Sequence, residues 1–221
     1  MTIPILYSLR QCPYAMRARL AILYAGQTVV LRDVDMINKP KEMLSISPKG
    51  TVPVLHFEDT VIEESVDVML WALIQSDPRN LLYHHDLLQL PLMLELIQKS
   101  DSEFVQILQK YRAASRYHDD NEMEYRDKCV EWLSDIEERL SKHAFIMGES
   151  ASIVDYALLP FIRQFSRVDK KWYNIAPLPH LRAWLIRHYN DPIFSKAMTI
   201  YLNGTVMLNL SFSVKIHPYN H

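Results

Sequence analysis

The chain has 221 residues, 49% hydrophobic and 23% charged, with a formal net charge of −2 at pH 7. That near-balance gives no sign of a nucleic-acid or anionic-membrane partner, and no apolar run approaches the roughly 20 residues that span a bilayer. The length suffices for one large domain or two small ones with proper cores.

The first 75 or so residues alternate between strand and helix signals. Pro4 to Leu9 (PILYSL) is a short β-prone run, and CPYAMRARLAILYAG reads as an amphipathic, arginine-bearing helix that stops at Gly26. Thr28 to Met36 is rich in β-branched residues and alternates as a strand does; Lys39 to Ser47 reads as a short helix closed by Pro48 and Gly50. VPVLHFEDTVIEES predicts a hairpin turning near Glu58–Asp59, and a helix begins at Ser65. The order β-α-β-α-β-β-α is that of a thioredoxin-like domain.

Beyond Asp77–Pro78 no convincing strand appears for over a hundred residues. LLQLPLMLELIQKSDSEFVQILQKYRAASR is helical in period, with Pro91 in its first turn or at a kink. NEMEYRDKCVEWLSDIEERLSKH repeats Tyr125, Cys129, Trp132, Ile136 and Leu140 at helical spacing. SIVDYALLPFIRQFSRV is apolar nearly all round and reads as the central helix, opened by a capping box of Ser152 and Asp155. PLPHLRAWLIRHYND and PIFSKAM complete the helical part. The domains are therefore drawn at 1–77 and 83–198, leaving a tail, 199–221, whose alternation and Asn203–Gly204 turn signal fit a hairpin or an extended arm. The opening residues lack a basic stretch leading into a long apolar one, and two distant cysteines make no disulfide framework. The expectation is a reduced, soluble, cytoplasmic protein.

Cys12 stands before Pro13 at the junction of the first strand and first helix. It would be the N-cap and the proline the first helical residue, where a missing N–H costs nothing. The unpaired amides and dipole of a helix N-terminus favour a thiolate there, and Arg10, Arg17 and Arg19 add positive potential nearby. Cysteine is otherwise a small, burial-prone residue, which is how Cys129 reads on its apolar stripe. Because the helix opens C-P-Y-A and not C-x-x-C, no second thiol in that motif can release a mixed disulfide. The resolving thiol must come from outside, and glutathione is the obvious supply.

With the two halves, this cysteine and two further segments, residues 3 to about 198 resemble the glutathione transferase superfamily, nearest to its cysteine-type, omega-like members and their bacterial relatives. The resemblance implies a thioredoxin-like domain that binds glutathione, followed by an all-helical domain. In PKGTVPVL it implies a cis bond before Pro53 and a backbone contact from Val52 to the cysteinyl part of glutathione. In EES it implies that Glu64 and Ser65 hold the γ-glutamyl end at a helix N-terminus, Glu63 being a neighbour, where unpaired amides suit a carboxylate. In NKPKEM it puts Lys39 at the glycyl end. Tyr7 lies near the catalytic tyrosine of other classes, a role that Cys12 supplants here.

The resemblance further implies an enzyme, a glutathione-dependent transferase or thiol-disulfide oxidoreductase of thioltransferase or dehydroascorbate reductase type. Cys12 would form a mixed disulfide with glutathione, the co-substrate, and a small electrophilic or disulfide compound would be the second substrate. Two other readings remain: conjugation, with Cys12 only hydrogen-bonding the glutathione thiol, and a non-catalytic binding or regulatory protein on the same fold. A homodimer is the family expectation. Of the nine histidines only His217 and His221 stand at H-x-x-x-H spacing, with a proline between them, and none lies in an H-E-x-x-H pattern, so no metal site is expected.

Overall fold

In a computed structural model, which describes residues 2–86, 88–199 and 205–208, the alternating first part of the chain folds as β1 (Ile5–Ser8), α1 (Pro13–Tyr24), β2 (Val29–Asp33), α2 (Lys41–Ile46), β3 (Val54–Phe57), β4 (Thr60–Ile62) and α3 (Ser65–Gln75). β1 pairs parallel with β2 and antiparallel with β3, which pairs antiparallel with β4. The β3–β4 turn falls at Glu58–Asp59 as expected, with Glu58 in the left-handed region at φ 51°. Helix α1 ends on Gly26 at φ 67°. The Gly26 N–H donates to Leu23 O at 3.1 Å and the Gln27 N–H to Ile22 O at 3.0 Å, the paired bonds of a Schellman stop.

Helix α1 departs from the sequence reading. It is not a surface helix with one polar side: every residue from Ala15 to Tyr24 is buried, Arg17 and Arg19 included. Both guanidinium groups have partners, which is what makes their burial tolerable. Arg19 donates Nε to Ser8 Oγ at 2.8 Å and forms an ion pair with Asp33. Arg17 donates Nη1 to Ser65 Oγ at 3.4 Å.

Residues 80–190 form a second, separate unit. It holds α4 (Gln89–Lys99), α5 (Val105–Tyr117), α6 (Glu122–Lys142), α7 (Ile153–Val168), α8 (Lys170–Ile175) and α9 (Pro179–Tyr189). Pro91 does lie in the first turn of α4, and the expected long helix is interrupted by one π-helical turn, Ser100–Phe104, before α5 continues it. Helix α7 is buried at every position from Ile153 to Ile162. Its Phe165 is a hub, with ring centroids 5.9 Å from each of Tyr111, Trp172 and Tyr173 and 6.3 Å from Phe104. At the head of α7 the buried Asp155 carboxylate receives four donors. Ser152 N–H (2.8 Å) and Oγ (3.0 Å) bond to Oδ2; Ile146 N–H (3.1 Å) and Trp184 Nε1 (2.9 Å) bond to Oδ1.

The chain then returns to the first unit. Residues from 191 on cluster with residues up to 79, so the sequence-drawn end of the helical domain at 198 is displaced to 190. The cause is visible in the bonds of α10 (Pro192–Ala197). Ala197 O accepts from Arg19 Nη1 at 3.3 Å, and Asp191 Oδ2 accepts from Tyr24 OH at 2.8 Å. In the tail, β5 (Thr205–Leu208) pairs antiparallel with β2, giving a five-stranded sheet of order β4-β3-β1-β2-β5. This segment is thus an added edge strand; the Asn203–Gly204 turn signal lies outside the described residues. Among the described residues no helix is long and apolar enough to cross a membrane.

Candidate active site

Cys12 is the N-cap of α1, with extended backbone (φ −77°, ψ 123°) and Pro13 in the first turn. Its N–H donates to Leu9 O at 3.0 Å and its carbonyl accepts from Met16 N–H at 2.9 Å, so the main chain fixes the residue from both sides. The side chain makes no cap bond. Instead the half-buried thiol faces the β3 approach, donating to Val52 O at 3.7 Å. Val52 precedes Pro53 through a cis peptide bond, and its own N–H has no acceptor among the described residues. Beneath them Tyr7, Ala15, Met43 and Val54 form a packed wall. Tyr7 is turned from the thiol's business: its hydroxyl accepts from Arg32 Nη1 at 3.2 Å.

The start of α3 supplies the next side of the site. Ser65 is its first residue, only 5% exposed, and Glu64 occupies the N-cap without a side-chain cap bond. The first-turn amides of such a helix have no intrahelical partner. Glu64 pairs with Lys49, an exposed contact, and the bond holds the Lys49 ammonium above its ordinary range. Glu63 accepts from Ser47 Oγ at 2.5 Å. Lys39, half-buried, lies over Gly50: its Nζ is 3.2 Å from where a Cβ on that residue would stand. Gly50 is at φ +61°, so the turn needs glycine both for its backbone and for the lysine above it.

Contacts in sequence therefore join the named residues into one patch. Cys12 touches Val52; the 47–50 segment touches Glu63, Glu64 and Lys39; and Arg17, one turn and a half beyond Cys12, touches Ser65. Three participants were not assigned from the sequence: Ser47, Lys49 and the direction of Arg17. Lys49 sits within PKGTVPVL, three residues before Val52, but its opposite charge to Glu64 becomes a contact only when β3 and β4 fold the two segments together. The second cysteine is elsewhere. Cys129 is fully buried on α6, and burial pushes its thiol up to about 12.

The glutathione S-transferase N-terminal domain model matches residues 6–80, and the C-terminal domain model of the same family matches residues 121–187. The chain belongs to the glutathione S-transferase superfamily. Within that superfamily it is omega-like. It is similar to glutathione S-transferase omega-1 of Mus musculus, 25% identical over 191 residues that cover 86% of this chain and 78% of the relative. It is also similar to glutathione S-transferase DHAR3, chloroplastic, of Arabidopsis thaliana, 26% identical over 195 residues, 85% of this chain and 67% of that one. Among solved structures, glutathione transferase Omega 3C of Trametes versicolor superimposes with a TM-score of 0.75 at 16% identity, covering 89% of this chain and 84% of the other. A Pseudomonas fluorescens transferase with two glutathione bound gives 0.77 at 18% identity, over 89% of this chain and 92% of that one. The superfamily fold, a small sheet with helices followed by a helical domain, is the one described above.

Proposed function

We propose that this transferase is a glutathione-dependent thiol transferase in which Cys12 forms a mixed disulfide with glutathione. The observation that carries the reading is the Cys12 thiol at the N-terminus of α1, 3.7 Å from the carbonyl of a Val52 whose N–H has no acceptor among the described residues. An extended peptide laid along Val52 pairs with that free amide like an added strand, which brings its own sulfur to Cys12. The 1–77 domain then binds glutathione as co-substrate. Val52 and Pro53 hold its cysteinyl part, Glu64 and Ser65 its γ-glutamyl end, and Lys39 its glycyl carboxylate.

The reaction runs in two exchanges. The Cys12 thiolate attacks the glutathione sulfur of a mixed disulfide, forming Cys12–S–S–glutathione and expelling the other partner as a thiolate that takes up a proton. A glutathione thiolate then attacks the bound glutathione sulfur, releasing oxidised glutathione and regenerating the Cys12 thiolate. The substrates are glutathionylated thiols and small compounds of dehydroascorbate type. The protein acts in the cytoplasm as a homodimer. A second reading, conjugation of glutathione to a small electrophile, is favoured by one feature: Cys12 Sγ already serves as a hydrogen-bond donor and could donate in the same way to a glutathione thiolate.

The test is glutathione-dependent reduction of a small mixed disulfide by wild type, Cys12→Ala and Cys12→Ser, with intact-mass analysis after exposure to oxidised glutathione. Thiol transfer requires turnover, one glutathione added on Cys12, and loss of both in the variants. Binding of glutathione with neither turnover nor adduct refutes it. Conjugation is identified by an electrophile-dependent rate that survives in Cys12→Ser.

A further inference from the structure

We infer that Arg17 fixes the polarity of the glutathione site by making the Ser65 hydroxyl a hydrogen-bond donor toward the ligand. The inference rests on the reading above, in which Ser65 meets the γ-glutamyl carboxylate. A guanidinium group has only donors to offer, so in the 3.4 Å contact between Arg17 Nη1 and Ser65 Oγ the serine oxygen accepts. The hydroxyl proton is then directed away from Arg17. Both residues are buried, Arg17 completely, so neither side chain is free to trade this contact for water.

Ser65 is also the first residue of α3, where the unpaired amides of the first turn present further donors. A carboxylate, which only accepts when ionised, meets donors in the Ser65 hydroxyl and these amides. A neutral ligand group that must itself donate finds one of the two Ser65 lone pairs already taken by Arg17. Without Arg17 the hydroxyl could rotate and serve either kind of ligand, so Arg17 contributes selectivity for a carboxylate without touching it. It is a positioning residue. Arg19, two places along the same helix and equally buried, directs its guanidinium to Ser8, Asp33 and Ala197 instead, and provides a built-in control for the general effect of losing a buried arginine from α1.

The experiment is calorimetric titration of the full chain with glutathione and with 4-aminobutanoyl-cysteinyl-glycine, which lacks the γ-glutamyl α-carboxylate. Arg17→Met is expected to weaken glutathione on the order of tenfold and to leave the analogue unchanged. Arg17→Lys, still only a donor, recovers most of the loss, and Arg17→Met adds nothing to Ser65→Ala. In turnover the KM for glutathione rises while kcat holds. If Arg17→Met does not fold, Arg17→Gln carries the same prediction, since its amide can both donate and accept. Equal weakening of both ligands, equal behaviour of Arg17 and Arg19 variants, or an undiminished effect in the Ser65→Ala background overturns the role of Arg17 while leaving the site standing. A wild type that binds both ligands equally overturns the placement of the carboxylate at Ser65, and this inference with it.

Discussion

Cys12 and Cys129 carry the same thiol in opposite settings. The first caps a helix and faces the open backbone of Val52; the second is sealed in α6, its thiol pushed from an ordinary 9.0 up to about 12. An alkylating reagent at pH 8 should therefore modify one thiol in the native protein and two after denaturation, with the native adduct on Cys12 by peptide mass mapping. At that pH the Cys129 thiolate amounts to only about one part in 10⁴, and rapid native labelling there would contradict its burial. The same shift has a consequence for stability. Above pH 9 the unfolded chain releases the Cys129 proton while the folded chain keeps it, so unfolding becomes progressively favoured until the folded thiol also titrates. Cys129→Ala should flatten that alkaline decline in a denaturant series. Asp155 is the other residue whose role is structural. Asp155→Ala strands the buried Ser152 and Ile146 amides and the Trp184 indole N–H, and should cost at least about 3 kcal/mol of unfolding free energy, read from urea denaturation. The residues proposed for this site stand out as candidates in the sequence because of their local setting: a thiol and a proline at a helix start, serine after acids at another. The direction of Arg17 was not, since α1 places successive side chains on different faces and only the packing of α3 against it decides which arginine meets Ser65.

At the scale of elements, the legible ones were those with a long period or strong punctuation. Gly26 stopped α1, Pro91 opened α4, and the Ser152–Asp155 box opened α7, all as their residue types dictate. α8 escaped because DKKWYNIA is too short to show a helical period; Asp169 starts it by accepting from Trp172 N–H at 3.0 Å. β5 escaped for another reason. Its alternating sequence announced a strand, but a strand's partner is set by distant pairing that local sequence does not encode. Here β5 covers the outer edge of β2 from Val29, opposite Leu208, to Arg32, opposite Thr205. Ending the chain after Thr199 removes the fully buried Leu208 and bares that edge. The expected cost is about 1.5–3 kcal/mol from the leucine alone, seen as a lower melting temperature. Amides of residues 29–33 should exchange faster, and the truncated protein should self-associate more readily at high concentration, as uncovered edge strands do. Unchanged exchange in β2 would mean that β5 does not hold this position in solution.

For the whole molecule the proposed homodimer makes a direct prediction: sedimentation at micromolar concentration should give roughly twice the 26.0 kDa chain mass, and a species at the single-chain mass would refute it. The division into two parts was legible as a change of grammar near residue 80, because strand-helix alternation and continuous helical period look different over any long window. The return at 191 was not legible. PIFSKAM reads as one more helix after many, and its attachment to α1 through Ala197 and Asp191 exists only in three dimensions. That return makes the helical unit an insertion within the other unit, and it orders events during synthesis. Emerging from the ribosome, residues up to 79 lack α10 and β5 until all of residues 80–190 have been made, an interval on the order of ten seconds at ordinary translation rates. Through that interval Arg19 waits for Ala197 and the edge of β2 for its partner. The part of the protein translated first is therefore the part completed last, and a nascent-chain protease experiment should find the helical unit resistant while the sheet-bearing one is still open.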